Sequence, residues 1–345
     1  MVFLRTTPPR PVDVAVIFPE LVPLARAATR LHPRPGAPLV GDSSVGGPLL
    51  WPAEEPWPHC GAVHRVSRSK SPAAIRLDRR RRARLDRDPH GPDYTPEERG
   101  IHERDNARFM ERLDSGPPWP EEMPMPMIPV AQLYVRDVPL LRPPGQADML
   151  QVLWCPYDHE PFATPATTLF WRCAAAVGDV LAVPPQPYEV NRDGYVPEPC
   201  HLAPEAITEY PHSLELGPEM RLMVGDRVDD RDADYPEQFY DGNLANAPGW
   251  KVGGWPPWGR TDPAPRHCSV CEVQMVPLLT IATFEWDYGT RGWAPYEDEA
   301  DAYAAGHRAD QNPAQPTKVE VGSGDSMQLY VCPTSPEHPH ADRIQ

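Results

Sequence analysis

No stretch of this chain reaches the ~20 consecutive apolar residues that crossing a bilayer requires. The segment 1–12 carries Arg5, Arg10 and several prolines where a signal peptide needs an apolar run, so a cytoplasmic location is expected and no membrane partner. Positive charge is also scarce. Lys and Arg number 33 against 49 Asp and Glu, a net charge of −16, whereas a nucleic-acid surface needs a basic face. Neither a P-loop nor a G-x-S-x-G elbow occurs, which leaves nucleotide binding and serine hydrolysis without support. Ser323-Gly324-Asp325-Ser326 does not supply one. Residues that build long helices are interrupted by 49 prolines, which lack the amide hydrogen and break helix interiors, so bundles and coiled coils are excluded. Yet the chain is 40% hydrophobic and holds 10 tryptophans, too many for a disordered polymer. A folded protein of short strands, few helices and much ordered loop remains.

One region departs from the acidic average. Between Arg65 and Arg87 lie ten Arg and Lys against two Asp, a local charge of +8. Such a run is expected as a solvated or disordered insert; the alternative is a clamp on an anionic partner or on the protein's own acidic surface.

The chain also repeats itself. Val45-Gly46-Gly47 followed by Trp51, Pro56 and Pro58 recurs as Val252-Gly253-Gly254 followed by Trp258, Pro263 and Pro265. Met127-Ile128-Pro129-Val130 with Leu133 recurs as Met275-Val276-Pro277-Leu278 with Ile281. Gly145, Asp148, Leu150-Gln151 and Cys155-Pro156 recur as Gly322, Asp325, Met327-Gln328 and Cys332-Pro333. Three blocks in one order, each with constant internal spacing, imply two copies of one unit: 1–165 and 241–345, joined by a β-rich segment 166–240, together one compact body. A charged insert, about 61–122, has no counterpart in the second copy. The blocks are short, apolar and β-prone, so the expected fold is α+β, β-rich, with two pseudo-symmetric repeats of short antiparallel strands and few helices. Helices are expected over 19–31, with Leu21, Leu24, Ala25 and Ala28 on one face, and over 95–113. There Thr95-Pro96-Glu97-Glu98 supplies a cap, a first-turn proline and a capping-box glutamate.

Seven cysteines, an odd and scattered set, make a poor disulfide framework but can hold a metal. Cys268 and Cys271 form a C-x2-C pair that puts two sulfurs on one turn, two corners of a Zn²⁺ tetrahedron. Cys332 at a strand end is the third ligand and His338 or His340 the fourth, a zinc-ribbon-like set. The first copy offers an altered set: Cys60, His64, Cys155 and His159, with Cys200-His201 as possible replacements. Three cysteines and a histidine close the shell, so structural zinc is expected rather than catalytic zinc. Cys173 is read as a buried thiol.

Trp51 and Trp57, with Trp255 and Trp258, are read either as walls of a ligand groove between the copies or as packing. Glu285, Asp287, Glu297, Asp298, Glu299 and Asp301 could supply paired carboxylates but fall mostly in a polar stretch.

Asp42-Ser43-Ser44-Val45-Gly46-Gly47-Pro48, Pro129-Val130-Ala131-Gln132-Leu133, Leu150-Gln151 with Trp154-Cys155-Pro156, and Trp250-Lys251-Val252-Gly253-Gly254-Trp255 resemble the YwqG-like family, a bacterial domain of unknown function. The resemblance spans most of the chain outside the insert and is strongest to long, cysteine-bearing actinobacterial members. It implies an α+β fold with duplicated β-rich halves and carries no catalytic residues to this sequence. Expected, then, is a zinc-stabilised, non-enzymatic binding or regulatory protein with a protein partner. The alternative is a metal-dependent hydrolase using His59, His64 and His159 with carboxylates, its site between the repeats.

Overall fold

An average of about one proline in seven residues leaves room for short strands and long turns, and the computed structural model has that architecture. It describes residues 4–62, 64–65, 70–88, 90–115, 120–121, 124–160, 162–228, 236–303 and 312–345. The fold is α+β and rich in strand. Twelve strands form its two main sheets: β1 Arg26–Arg30, β2 Arg34–Pro35, β3 Ser44–Val45, β4 Ile128–Tyr134, β5 Met149–His159 and β6 Thr164–Arg172. They continue as β7 Cys200–His201, β8 Glu205–Glu209, β9 Lys251–Gly253, β10 Val276–Ala282, β11 Ser326–Val331 and β12 Ala341–Ile344. One sheet has the order β6-β5-β4-β3-β7-β2 and the other β8-β1-β9-β10-β11-β12. Every pairing within them is antiparallel.

The sequence blocks occupy equal places in the two sheets. The Val-Gly-Gly segments lie on β3 and β9, the Pro-containing blocks on β4 and β10, and the Gln-containing blocks on β5 and β11. Local details match as well. The register slips after Pro129 between β4 and β5, and after Pro277 between β10 and β11. A proline without an amide hydrogen interrupts a ladder, and a bulge absorbs the interruption. Gly46 and Gly253 both take the left-handed backbone region, with φ of 63° and 73°. A side chain at Gly46 would also meet the Glu198 carbonyl oxygen at 2.9 Å, so glycine is required there twice over. Buried Gln151 donates to Gln132 Oε1 at 2.9 Å across the strands, and its counterpart Gln328 accepts from Thr280 at 2.7 Å.

Each sheet is completed from elsewhere in the chain. Strand β1, from the first stretch, lies in the second sheet between β8 and β9. This corrects the helix expected over 19–31: a 3-10 turn, Pro19–Leu24, ends at Ala25 (ψ 135°) and gives way to β1. Pro23 withholds one helical hydrogen bond, and two sheet neighbours satisfy the β1 backbone, so tertiary pairing overrides the helical spacing. The helix Pro96–Ser115 forms as expected, with the reciprocal Thr95–Glu98 box at 2.7 and 3.2 Å.

The basic run is likewise no solvated tail where it is described. Pro72–Arg87 is a helix capped by Ser71, with Ala74, Ile75 and Leu77 buried. Arg79 reaches the carbonyls of Val196 at 2.7 Å and Asp193 at 2.9 Å and pairs with Glu198 at 3.5 Å. Its cations therefore clasp the protein's own surface; residues 66–69 of the run lie outside the described residues.

One contiguous hydrophobic core draws on both sheets, including Val45, Leu133, Val152 and Trp154 from one and Trp250, Val252, Leu279 and Leu329 from the other. Beside it sits His32, fully buried, at positive φ (44°), with Nε2 3.0 Å from Glu205 Oε2 and Nδ1 without a partner. Burial first, and the Arg30 charge second, push this imidazole down to about 4. An unfolded histidine titrates near 6.5, so between pH ~6.5 and ~4 the unfolded chain binds the extra proton and the folded one does not. Stability from this group is therefore complete above pH ~6.5 and declines by about 3 kcal/mol as pH falls toward 4. Denaturant unfolding of wild type and His32→Gln at pH 7 and 5 checks this; the variant should lack that part of the acid loss.

Candidate metal centres

Short range dictates the first feature of the second sheet's cluster. In His267-Cys268-Ser269-Val270-Cys271-Glu272, the chain folds back into a knuckle: Cys268 N donates to Val273 O at 2.9 Å, and Glu272 N to Cys268 O at 2.9 Å. The Val270 amide donates to Cys268 Sγ at 3.4 Å, and Glu272 closes the turn at φ 60°. The knuckle's legs are tied by Met275 N to Arg266 O at 2.7 Å, directly before β10. Cys332 follows β11, paired to β10, and His338 lies in the turn before β12. Thus three chain segments deliver four side chains to one point.

Cys268, Cys271, Cys332 and His338 offer ligand atoms that all lie within 4.8 Å of one another. Cys271 Sγ is 3.5 Å from Cys332 Sγ, and Cys268 Sγ is 3.4 Å from His338 Nδ1. All are free thiols. Burial works against a thiolate at Cys332, but the Ser335 and Thr334 amides, together with hydrogen bonds to Cys271 and His338, outweigh it and bring the group down to about 6. His338 is raised by its hydrogen bonds to Cys332 and then Cys268. His340, the other histidine considered, is turned away: its Nε2 lies 2.7 Å from Thr167 Oγ1 on β6.

The first sheet carries a second cluster. Cys60 lies on a two-residue strand paired with Met125–Pro126, His64 begins the next short ribbon, and Cys155 and His159 are on β5. Their ligand atoms also lie within 4.8 Å of one another. Cys60 Sγ is 3.5 Å from His64 Nε2 and 3.6 Å from His159 Nε2; the two imidazole nitrogens are 3.3 Å apart, and Cys155 Sγ is 3.1 Å from His64 Nε2. His64 is held flat against Tyr157, with ring centroids 4.7 Å apart. The Cys155 hydrogen bond pulls Cys60 well below the ordinary thiol range, while the same bond and burial push Cys155 up. His64 stands at the base of the insert, which therefore contributes a ligand position.

Other expected site residues are placed apart. Cys200 is buried in β7, its sulfur 3.6 Å from Pro316 O, and Cys173 is only half-buried after β6. The four tryptophans do not share one groove. Trp51 and Trp57 pack with tilted rings, centroids 5.0 Å apart, beside a cavity of about 480 Å³, and Trp255 and Trp258 line a different one of about 510 Å³. His59 bonds Trp57 O at 2.7 Å and does not join the clustered histidines. The acidic residues disperse: Glu285 is buried and accepts from Trp250 N at 3.0 Å, Asp298 pairs with Arg5 at 3.1 Å and with Arg34, and Asp287 caps Thr290 at 2.8 Å. Among the described residues no carboxylate belongs to either Cys/His cluster.

Sequence reading missed a buried ion pair. Lys251 on β9 donates to both Glu209 oxygens, at 2.8 and 2.9 Å, with both side chains out of solvent. Glu209 also accepts the Ala247 and Trp255 amides, each near the Gly-Gly turn, at 2.9 and 2.8 Å. A lysine between Trp250 and Val252 was the available signal.

Among the described residues no helix is long and apolar enough to cross a membrane. No protein-family model matches this chain, and no curated protein matches it.

Proposed function

We propose that both clusters hold zinc in closed, structural four-ligand shells, and that the chain is a non-enzymatic binding or regulatory protein of the reducing cytoplasm, not a metal-dependent hydrolase. The observation that carries this is the spacing of the ligand atoms. With Zn–S near 2.3 Å and Zn–N near 2.0 Å, a regular tetrahedron has edges of about 3.8 Å between sulfurs, about 3.5 Å from sulfur to nitrogen and about 3.3 Å between nitrogens. The sulfur pair at 3.5 Å, sulfur–nitrogen pairs at 3.4 to 3.6 Å and nitrogen pair at 3.3 Å follow those edges; Cys155 to His64, at 3.1 Å, is tighter. Soft thiolates with imidazole favour zinc over magnesium or calcium. Four protein ligands leave no coordination position for a reacting water.

Duplication of an ancestral unit, and kinship with the YwqG-like family, are part of the same reading; the equal strand positions and paired bulges support the first. The acidic surface suits a basic protein partner. Metal analysis of the purified chain tests the central point. Two tightly held zinc ions per chain are expected. A single exchangeable metal with a titrating bound water, or none, would overturn it.

A further inference from the structure

The 510 Å³ cavity beside the Cys268 cluster has a chemistry of its own. Its walls are Trp255, Trp258, Pro265, Met275 and Pro277. The walls are held in place: Arg26 stacks on Trp255 at 3.3 Å, and Trp258 Nε1 donates to Glu215 at 2.7 Å. Against this apolar body stand two donors with no acceptor. Arg266 Nε is buried and unpartnered, and so is the hydroxyl of Tyr330, a residue only 5% exposed. Both residues line the cavity. Buried donors normally find acceptors, and two on residues that line one cavity call for an acceptor from outside. A guanidinium with a phenol hydroxyl suits a carboxylate, while tryptophan and proline suit a flat apolar body.

We propose that this cavity binds a small aromatic carboxylate, and that metal at the adjacent cluster sets its affinity. Arg266 and Met275 are the two legs of the Cys268–Cys271 knuckle, and Tyr330 stands two residues before Cys332. A metal that fixes the knuckle fixes the cavity wall, so metal and ligand must strengthen each other's binding. The corresponding cavity of the first sheet has Trp51, Trp57 and Pro129 with Arg76, a cation to which no described residue hydrogen-bonds. A carboxylate acts on each cavity, Glu198 on Arg76 and Glu215 on Tyr330, but the lining of the first offers no hydroxyl donor beside its cation.

The probe is 3-phenylpropanoate, with neutral 3-phenylpropanamide as control, titrated by calorimetry and ligand-observed NMR into the full zinc-loaded chain. Saturable binding with a Kd on the order of 1 mM is expected for so small a ligand. Arg266→Gln and Tyr330→Phe should each weaken the acid about tenfold, leave the amide unaffected and keep metal content unchanged. Arg76→Gln should have no effect. Removing metal with EDTA should weaken the acid about tenfold or more. No saturation by ~10 mM, equal binding of acid and amide, or loss through Arg76→Gln would overturn the site. The metal coupling alone rests on the zinc reading. If zinc is present and its removal leaves affinity unchanged, the coupling fails; if no metal is found, the Arg266 and Tyr330 variants still decide the cavity.

Discussion

Serine at Cys268 is expected to remove one of two zinc ions per chain and lower the melting temperature by roughly 5–10 °C. The knuckle has little else to hold it. Its sequence neighbours Val270 and Val273 are 62% and 42% exposed, so few apolar contacts replace the lost metal bonds. The apolar contacts of the cluster are those of Cys268, Met275, Tyr330 and Cys332 among themselves, with Cys271 and Ala341 at the edge. A zinc shell contributes folding free energy directly because the unfolded chain offers no preformed site. Calorimetric melting and metal analysis of C268S and of Cys60→Ser check both centres. Each variant should retain the other ion, and the losses should be nearly additive because the centres share no ligand. Equal melting of C268S and wild type, with metal content intact, would show that the cluster is a thiol core and nothing more.

Glu209→Ala should destabilise the fold by about 3–5 kcal/mol, more than Lys251→Met does. Removing the carboxylate leaves an ammonium buried with no counter-charge and two amides, of Ala247 and Trp255, without their acceptor. Burial already pushes the Lys251 ammonium below its ordinary value, with Glu209 holding it up. Lys251→Met leaves a carboxylate that two backbone amides still satisfy, so its cost is smaller. Urea unfolding at pH 7 reads the difference. Equal costs would mean that the ion pair alone, and not the amides, is what Glu209 serves.

Much of this was open to sequence. The order of strands β3-β4-β5 and β9-β10-β11 follows from the repeated blocks, because alternating apolar residues and fixed Gly and Pro positions are local properties. The cysteine set of the Cys268 cluster followed from a C-x2-C pair and a matched strand end. What remained undecided there was a histidine: His338 and His340 are two residues apart, and only the placement of Thr167 against His340 separates them. Strand β1 was not legible, since Leu21, Leu24, Ala25 and Ala28 fit a helical face until β8 and β9 supply its partners. The basic run misled through composition, which records charge and not the burial of Ala74, Ile75 and Leu77 among the cations.

By itself, then, the sequence determined the strand-forming blocks, their recurrence in order and the residue types able to hold two metal ions, because each depends on neighbours within a few positions. Tertiary structure decided which distant segments complete each sheet, which imidazole meets which sulfur, and where the buried charges find partners. Those outcomes depend on pairing across as many as 293 positions, as when Arg5 donates to the Asp298 carboxylate, and a local pattern carries no record of a partner so far along the chain.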